Sequence, residues 1–405
     1  MQRKCFFGHN NSKKILSENL KMFSFREKKL DFSICKECGF IYQSKTVTPK
    51  EMSNYYEKSI VAVDNLYKPT RDKIKSVNRH INVIKDEIRN FPNSVLELSC
   101  LNSYVLKTFK KNGSKIIEGL EPSKIIAEGL KKKEKIKIHN TSIEKFNFRR
   151  SYDLIVLTHV LEHLYDPLKA LKKCFQSQKN DQHVLLEVPL FDNIESYPNG
   201  TFFLEHLSYF SENNFLKLIQ LSGYKTIYIS KTFESTVLPF ITVVAKKVDN
   251  KKIKKKLWFG DFKGFKNLKI PNTKYNKIIN KDFTKQYENA KKFIRINNSI
   301  WKKINLKIKK LDRKKPIYIF GAGFHASQFL YYTDVEKYFK IEGFIDSSKA
   351  KEGSYIGKYE IFSPTSEKIK KNCNILICSN YSENAIYISL KKFRLKGIKT
   401  YKIYN

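Results

Sequence analysis

The sequence predicts an α/β fold: an open, mostly parallel sheet with helices on both faces, a small metal-binding module before it, and a second, smaller α/β unit after it. Three stretches carry this reading. Leu154 to Leu157 is an uninterrupted apolar run closing on Thr158, the pattern of a strand buried on both faces of a parallel sheet. Asn93-Ser94-Val95-Leu96-Glu97-Leu98-Ser99-Cys100-Leu101-Asn102-Ser103-Tyr104 has the form of strand, turn and helix start. Pro316-Ile317-Tyr318-Ile319-Phe320-Gly321-Ala322-Gly323 repeats that form late in the chain. Where such strands end in polar residues at the head of a helix, open α/β sheets place their ligands.

The N-terminal module is read from its cysteines. Cys35-Lys36-Glu37-Cys38-Gly39-Phe40 is a knuckle: its C-x-x-C turn lets two thiolates grip one zinc, and the glycine relieves the turn. One knuckle is half a site. Cys5 and His9, spaced C-x3-H, are the candidates for the other half. Cys100, Cys174, Cys373 and Cys378 lack partner spacing and read as buried thiols, and disulfides are not expected in a reducing compartment. Asn54-Tyr55-Tyr56 and Tyr67 follow, then a helix over Pro69 to Arg89.

In the central region, Lys115 to Ser123 is a strand that ends in Glu121, about twenty positions after the Ser99–Ser103 turn. A carboxylate placed there accepts both ribose hydroxyls of an adenosine cofactor. Ser142 and Ile143, after the next short strand, are expected near the adenine. A helix is expected directly after Thr158, with Pro167 marking a break. His159-x-x-Glu162-His163 also fits the spacing of inverted zinc proteases, which need both histidines one turn apart in mid-helix. His159 sits where the strand turns, so that reading is set aside. His183 to Pro189 is the fifth strand, and Ser211 is the expected N-cap of a helix over Asn214 to Ser222.

Several of these stretches carry a family resemblance. Residues 152–167 resemble the fourth-strand motif of class I S-adenosylmethionine (SAM) methyltransferases, which often reads HVLEHxxDP. Gly119-Leu120-Glu121-Pro122-Ser123 is similar to the G-x-E-P-S of sugar C-methyltransferases. Glu205-His206-Leu207-Ser208-Tyr209-Phe210-Ser211 resembles their Y-H-E-H-x-x-Y-F-S, with Phe203 and Leu204 standing for the leading tyrosine and first histidine. Many of these enzymes open with a four-cysteine zinc module ending in C-x-x-C-G; here one cysteine of the first pair is missing and His9 is the nearest substitute. The resemblance runs in order through nearly the whole chain.

It implies a zinc-binding N-terminal module (1–68), a class I methyltransferase Rossmann-like domain (69–248), a linker and long helix (249–310), and a second Rossmann-like C-terminal domain (311–405). It implies SAM held by Glu97, Ser99, Cys100, Ser103, Glu121, Ser142, Ile143, Thr158 and His159, and zinc held by Cys5, His9, Cys35 and Cys38. The family has glycines at the positions of Ser99 and Ser103, where φ > 0 brings the backbone close to the cofactor. Serine adds a Cβ, although its hydroxyl offers a donor to the methionine carboxylate of SAM, so the loop is either adapted or disabled. Tyr56 is either a substrate contact or aromatic packing, and Tyr209 is a further substrate contact.

Methylating a carbon beside a ketone requires removal of an α-proton. A histidine with its pKa near 6.5 can do this at neutral pH, and a neighbouring carboxylate can orient it. His206 with Glu205 is the candidate pair, or the segment is a structural corner. Past residue 282, Phe283 to Ile308 follows helical spacing. In the last region Asp346 ends a strand at the distance expected of a nucleotide site, but Ala326 replaces the third glycine of G-x-G-x-x-G, so NAD is not expected there. That domain is either substrate-binding or structural.

The net charge of +39 invites a nucleic-acid partner. Only 10 of the 78 basic residues are arginine and the lysines are spread along the chain, so the charge reads as compositional bias and no nucleic-acid partner is expected. No apolar run has transmembrane length and residues 1–30 are too polar for a signal peptide, so a cytoplasmic protein without membrane insertion is expected. The expected reaction is SAM-dependent methylation of a nucleotide-activated keto sugar in surface-polysaccharide biosynthesis, at carbon first and oxygen second. The alternative is a catalytically silent relative that binds a sugar nucleotide or a partner enzyme.

Overall fold

A computed structural model describes residues 1–22, 25–58, 69, 71–133, 136–192, 202, 204–233, 239–248, 272–348, 351–379 and 382–404. Tyr67, Phe203 and residues 249–271 of the linker expected over 248–280 lie outside these residues, and residues 272–280 of it are helical instead of linker. The chain forms two units. The first comprises Met1–Ser17, Asp31–Ser53 and Asn65–Phe293; the second comprises Glu18–Leu30, Asn54–Asp64 and Ile294–Asn405.

The elements, in chain order, begin with a small sheet of β1 (Ser12–Met22), β2 (Phe25–Cys35) and β3 (Ile41–Lys45), followed by α1 (Pro49–Lys58) and α2 (Arg71–Glu87). Next come β4 (Ser94–Leu98), α3 (Tyr104–Lys111), β5 (Ile116–Leu120), α4 (Lys124–Lys133), β6 (Lys137–His139), β7 (Leu154–Thr158), α5 (Pro167–Ser177) and β8 (His183–Pro189). Then β9 (Ser208–Tyr209), α6 (Glu212–Leu221), β10 (Tyr224–Thr232) and β11 (Phe240–Lys247) close the main sheet. Its order is β10-β11-β8-β7-β4-β5-β6. The strands β6, β5, β4, β7 and β8 are parallel, and β11 and β10 are antiparallel to their neighbours. The order reverses between β4 and β7, so the loops after these two strands diverge and leave a crevice at their C-terminal ends.

The apolar run of β7 is buried along Leu154 to Leu157, and the same core takes in Leu96, Leu98, Val184 and Leu186 from its neighbours. Asp153 fixes the start of the layer: its carboxylate accepts from the Ser94 amide and the Ser94 hydroxyl, both at 2.9 Å. The small N-terminal sheet is completed by β9, which pairs with β3 through Ile41 and Tyr209.

The long helix α7 (Asn272–Lys309) contributes its earlier part to the first unit and its later part to the second. The remaining elements of the second unit are β12 (Ile317–Phe320), α8 (Phe324–Tyr332), α9 (Val335–Tyr338), β13 (Ile341–Ile345), β14 (Tyr355–Ile356), β15 (Tyr359–Phe362), β16 (Asn374–Ile377), α10 (Glu383–Ser389), α11 (Lys391–Arg394) and β17 (Thr400–Tyr401). They form a sheet of order β14-β15-β13-β12-β16-β17, parallel except at β14. Trp301, Ile304 and Ile308 of α7 join its core, as their helical spacing predicts. No helix among the described residues is long and apolar enough to cross a membrane.

Candidate active site

β4 ends at Leu98 and the chain turns at once. Ser99, Leu101 and Ser103 have φ of 55°, 33° and 55°, the left-handed region in which a Cβ is strained. Serine therefore holds here the backbone shape that glycine adopts without penalty. Hydrogen bonds keep it there: Cys100 N donates to Leu120 O (3.1 Å) and Ser103 N to Cys100 O (2.6 Å). The Ser103 hydroxyl, expected as a donor to the cofactor, donates to Asn102 O at 2.7 Å. A Cβ on Gly119 would stand 2.6 Å from Cys100 Sγ, so glycine at that position lets the loop lie down on β5.

Glu121, at the end of β5, is buried and accepts from Leu101 N (3.2 Å) and Ser123 N (2.9 Å). Burial pushes its carboxyl up to about 7. Glu97, in the strand feeding the loop, is raised to about 8 by burial and by the charge of Glu121, and its Oε2 has no hydrogen-bond partner. An orphaned acceptor at this point suits an ammonium group such as that of SAM's methionine, and Glu121 suits its ribose. Ser142 is half-buried and Ile143 is buried in the core that contains Leu98 and Leu120.

The loop after β7 is built differently. Thr158 is half-buried, and His159 turns the chain at φ 55° with its amide donating to Glu187 O at 2.8 Å. Only one 3-10 turn follows, Leu161–His163. The helix expected directly after Thr158 is absent, and Pro167 starts α5 instead of breaking a helix. Proline suits the first helical position, where no amide donor is needed, and Asp166 caps it by accepting from Lys169 N at 2.8 Å. His159 and His163 accordingly share no helical face.

Charged groups crowd this loop. Glu187, nearly in mid-β8, accepts from Thr242 Oγ1 (2.6 Å) and meets His80 Nε2 (2.8 Å), His159 Nε2 (3.2 Å) and Arg79 (3.4 Å). Burial alone would raise its carboxyl, but the charges and hydrogen bonds of His80 and His159 outweigh burial and hold it well below the usual range. Desolvation works to lower His159, whose side chain is nevertheless 43% exposed, and its carboxylate neighbours Glu162 and Glu187 more than reverse this, raising it to about 9. His163 Nδ1 donates to Glu205 O at 2.9 Å, and the ring of His206 stands edge-on to His163 at 4.8 Å. Burial, with the nearby charges of His163 and His159, holds His206 well below its ordinary value, so it is neutral at pH 7.

The segment carrying Glu205 and His206 is fixed by the N-terminal sheet. The Gln43 side-chain amide donates to Leu204 O and to His206 O, both at 2.9 Å. Arg3 donates to Leu207 O (2.6 Å) and Tyr165 O (3.0 Å), and Leu207 N donates to Glu162 O (2.8 Å). The Tyr209 ring is buried against Phe202 (4.9 Å) and Phe191 (5.8 Å). Ser211 caps α6, accepting from Asn214 N at 3.2 Å as expected. Tyr56 is half-buried on α1 and belongs to the second unit.

Cys5, His9, Cys35 and Cys38 come together in the first unit. Cys5 Sγ lies 3.7 Å from Cys38 Sγ, and His9 Nδ1 lies 3.9 Å from Cys5 Sγ and 3.4 Å from Cys35 Sγ. Around a tetrahedral zinc, two thiolates stand about 3.8 Å apart and a thiolate and imidazole nitrogen about 3.5 Å. The other His9 nitrogen faces the Glu37 carboxylate at 4.0 Å, the usual outer partner of a ligating imidazole.

Residues 72–229, which hold both loops, match a family model described as a methyltransferase domain. This stretch is a methyltransferase domain. No curated protein matches the chain in sequence. Among solved structures, magnesium protoporphyrin IX methyltransferase from Synechocystis PCC 6803 with bound SAM is similar at 11% identity and TM-score 0.38, over 49% of this chain and 96% of that one. The N-methyltransferase NodS from Bradyrhizobium japonicum WM9 is similar at 12% identity and TM-score 0.34, over 44% of this chain and 96% of that one.

In the methyltransferase domain, the turn Ser99–Ser103 gathers with Glu97 and Glu121, while His159 and His163 gather with His206. The functional groups not anticipated are Glu187, His80, Arg79 and Gln43. One signal was available for Glu187: a carboxylate inside the apolar strand His183-Val184-Leu185-Leu186-Glu187-Val188 needs a buried partner.

Proposed function

We propose that the chain methylates a nucleotide-activated keto sugar of surface-polysaccharide biosynthesis, at the carbon beside the ketone. The observation that carries this reading is the placement of a neutral, buried His206 at the end of β7, next to His163 and pinned by Gln43. SAM, when bound, supplies the electrophilic methyl group. Glu121 and Glu97 would hold its ribose hydroxyls and ammonium. His206 would take the α-proton on its neutral imidazole, and the protonated His159 adds positive charge where the enolate's negative charge develops. Zinc on Cys5, His9, Cys35 and Cys38 would be structural, since it closes the module whose β3 holds the 204–209 segment. None of the seven cysteines is in a disulfide, which suits a reducing cytoplasm.

The test is proton exchange. In heavy water, candidate nucleotide keto sugars should gain deuterium at the α-carbon without SAM, and His206→Asn should lower turnover about 10²–10⁴-fold while affinity for S-adenosylhomocysteine holds. Methyl on oxygen with no exchange would make the chain an O-methyltransferase. Metal analysis of protein purified without chelator should find one zinc per cysteine cluster; less than half an equivalent refutes the structural zinc.

A further inference from the structure

We infer that Glu162, His163 and His206 form a divalent-cation site at the C-terminal end of β7, distinct from the cysteine cluster. Their donor atoms all lie within 4.8 Å of one another, close enough to meet around one ion. Glu162 is 1% exposed, and neither oxygen of its carboxylate has a hydrogen-bond partner. A buried carboxylate so placed is costly until positive charge reaches it. The nearest basic group, His159 Nδ1, lies 3.5 Å from Glu162 Oε1 and leaves Oε2 unengaged.

The tautomer of His163 adds a second, independent argument. Its Nδ1 faces the Glu205 carbonyl at 2.9 Å, and a carbonyl only accepts, so the proton sits on Nδ1. In the neutral ring the Nε2 lone pair then faces Glu162 Oε1 at 3.8 Å. Two acceptors facing each other repel until a cation lies between them. A ring that donates its far nitrogen to a backbone carbonyl is also the usual arrangement of a metal-bound histidine.

Two imidazoles and one carboxylate form a borderline donor set that suits Mn²⁺, Fe²⁺ or Zn²⁺ and leaves coordination positions open. Those positions would take oxygen donors, such as the neighbouring carbonyl and hydroxyl of a sugar. An imidazole lone pair cannot hold a cation and accept a proton together. A filled site therefore excludes proton abstraction by His206, so the two uses of this residue alternate.

The experiment is a titration of the full chain, supplied with a single equivalent of zinc for its thiolate cluster and none in excess, with Mn²⁺ followed by electron paramagnetic resonance. One Mn²⁺ per chain is expected, with spin-echo modulation from imidazole nitrogen. Glu162→Gln and His163→Gln should each weaken binding at least about tenfold. S-adenosylhomocysteine affinity and the melting midpoint should stay as they are, which separates loss of the site from loss of the fold. No Mn²⁺ bound, no nitrogen modulation in the unaltered protein, or unchanged affinity in a folded Glu162→Gln variant would each overturn the inference. None of these readings depends on which atom the enzyme methylates, so the two proposals fail separately.

Discussion

The chain makes a strand-turn-helix twice, after β4 and after β12, and the two turns differ in how their acid is engaged. After β12, Gly321 has φ 109° and a Cβ there would stand 2.7 Å from Cys378 O. The acid of that turn, Asp346, accepts from Ala322 N (2.8 Å) and Ser348 N (2.9 Å) and pairs with Lys351 at 3.3 Å. Its charge is already matched and its hydrogen bonds already made. After β4 the left-handed positions carry serine, Glu121 accepts one amide at each oxygen, and Glu97 Oε2 has no hydrogen-bond partner. A shared local pattern thus yields one turn satisfied by its own chain and one that keeps acceptor capacity for a ligand.

The largest expected effect lies in the satisfied turn. Gly321→Ala combines a left-handed φ with a clash against backbone, and should lower stability by about 2–3 kcal/mol in denaturant unfolding. A neutral result would mean that this turn can rearrange. Next is the ligand-facing turn: Glu121→Ala should weaken S-adenosylhomocysteine binding by about 1–3 kcal/mol in calorimetry. Asp346→Ala should leave that affinity unchanged, and equal losses from the two variants would erase the distinction between the turns.

The pH dependence sharpens the same point. Ribose hydroxyls donate to a carboxylate, and burial raises Glu121 to about 7, so cofactor affinity should fall as pH drops through 7. Stability runs the other way for this group. Its folded pKa lies above the unfolded one near 4.5, so its contribution is complete below that value and is lost as pH rises through 7. The smallest effect is expected from Ser99→Gly, which relieves a strained φ and should raise stability by about 0.5–1 kcal/mol. A lowered midpoint would show that the serine side chain itself shapes the loop.

Much of this was legible from the sequence because it is local. The apolar run of β7, the acid closing β5, the C-x-x-C knuckle and the Ser211 cap each announce themselves within a few residues. The Pro167 error was also local: proline ends helices and begins them equally well, and only Asp166 before it distinguishes the two. What could not be read was pairing across the fold. Glu187 meets His80 from 107 residues away and Thr242 from 55 residues away, and no periodicity encodes such partners. Gln43 looked like an ordinary strand residue because its two acceptors are backbone carbonyls, which exist at every position.

Gln43 also dictates an order of assembly. Its partners Leu204 and His206 lie 161 and 163 residues further along, and β3 gains its outer neighbour only when Ser208 and Tyr209 arrive. During synthesis the first module therefore waits, with one sheet edge unpaired, until these later residues have left the ribosome. At synthesis rates of about 5–20 residues per second, that wait lasts on the order of ten to thirty seconds. Through that interval an open strand edge is displayed to the cell, and metal capture at the proposed zinc site of Cys5, His9, Cys35 and Cys38 would order the nascent module long before there is a reaction to support.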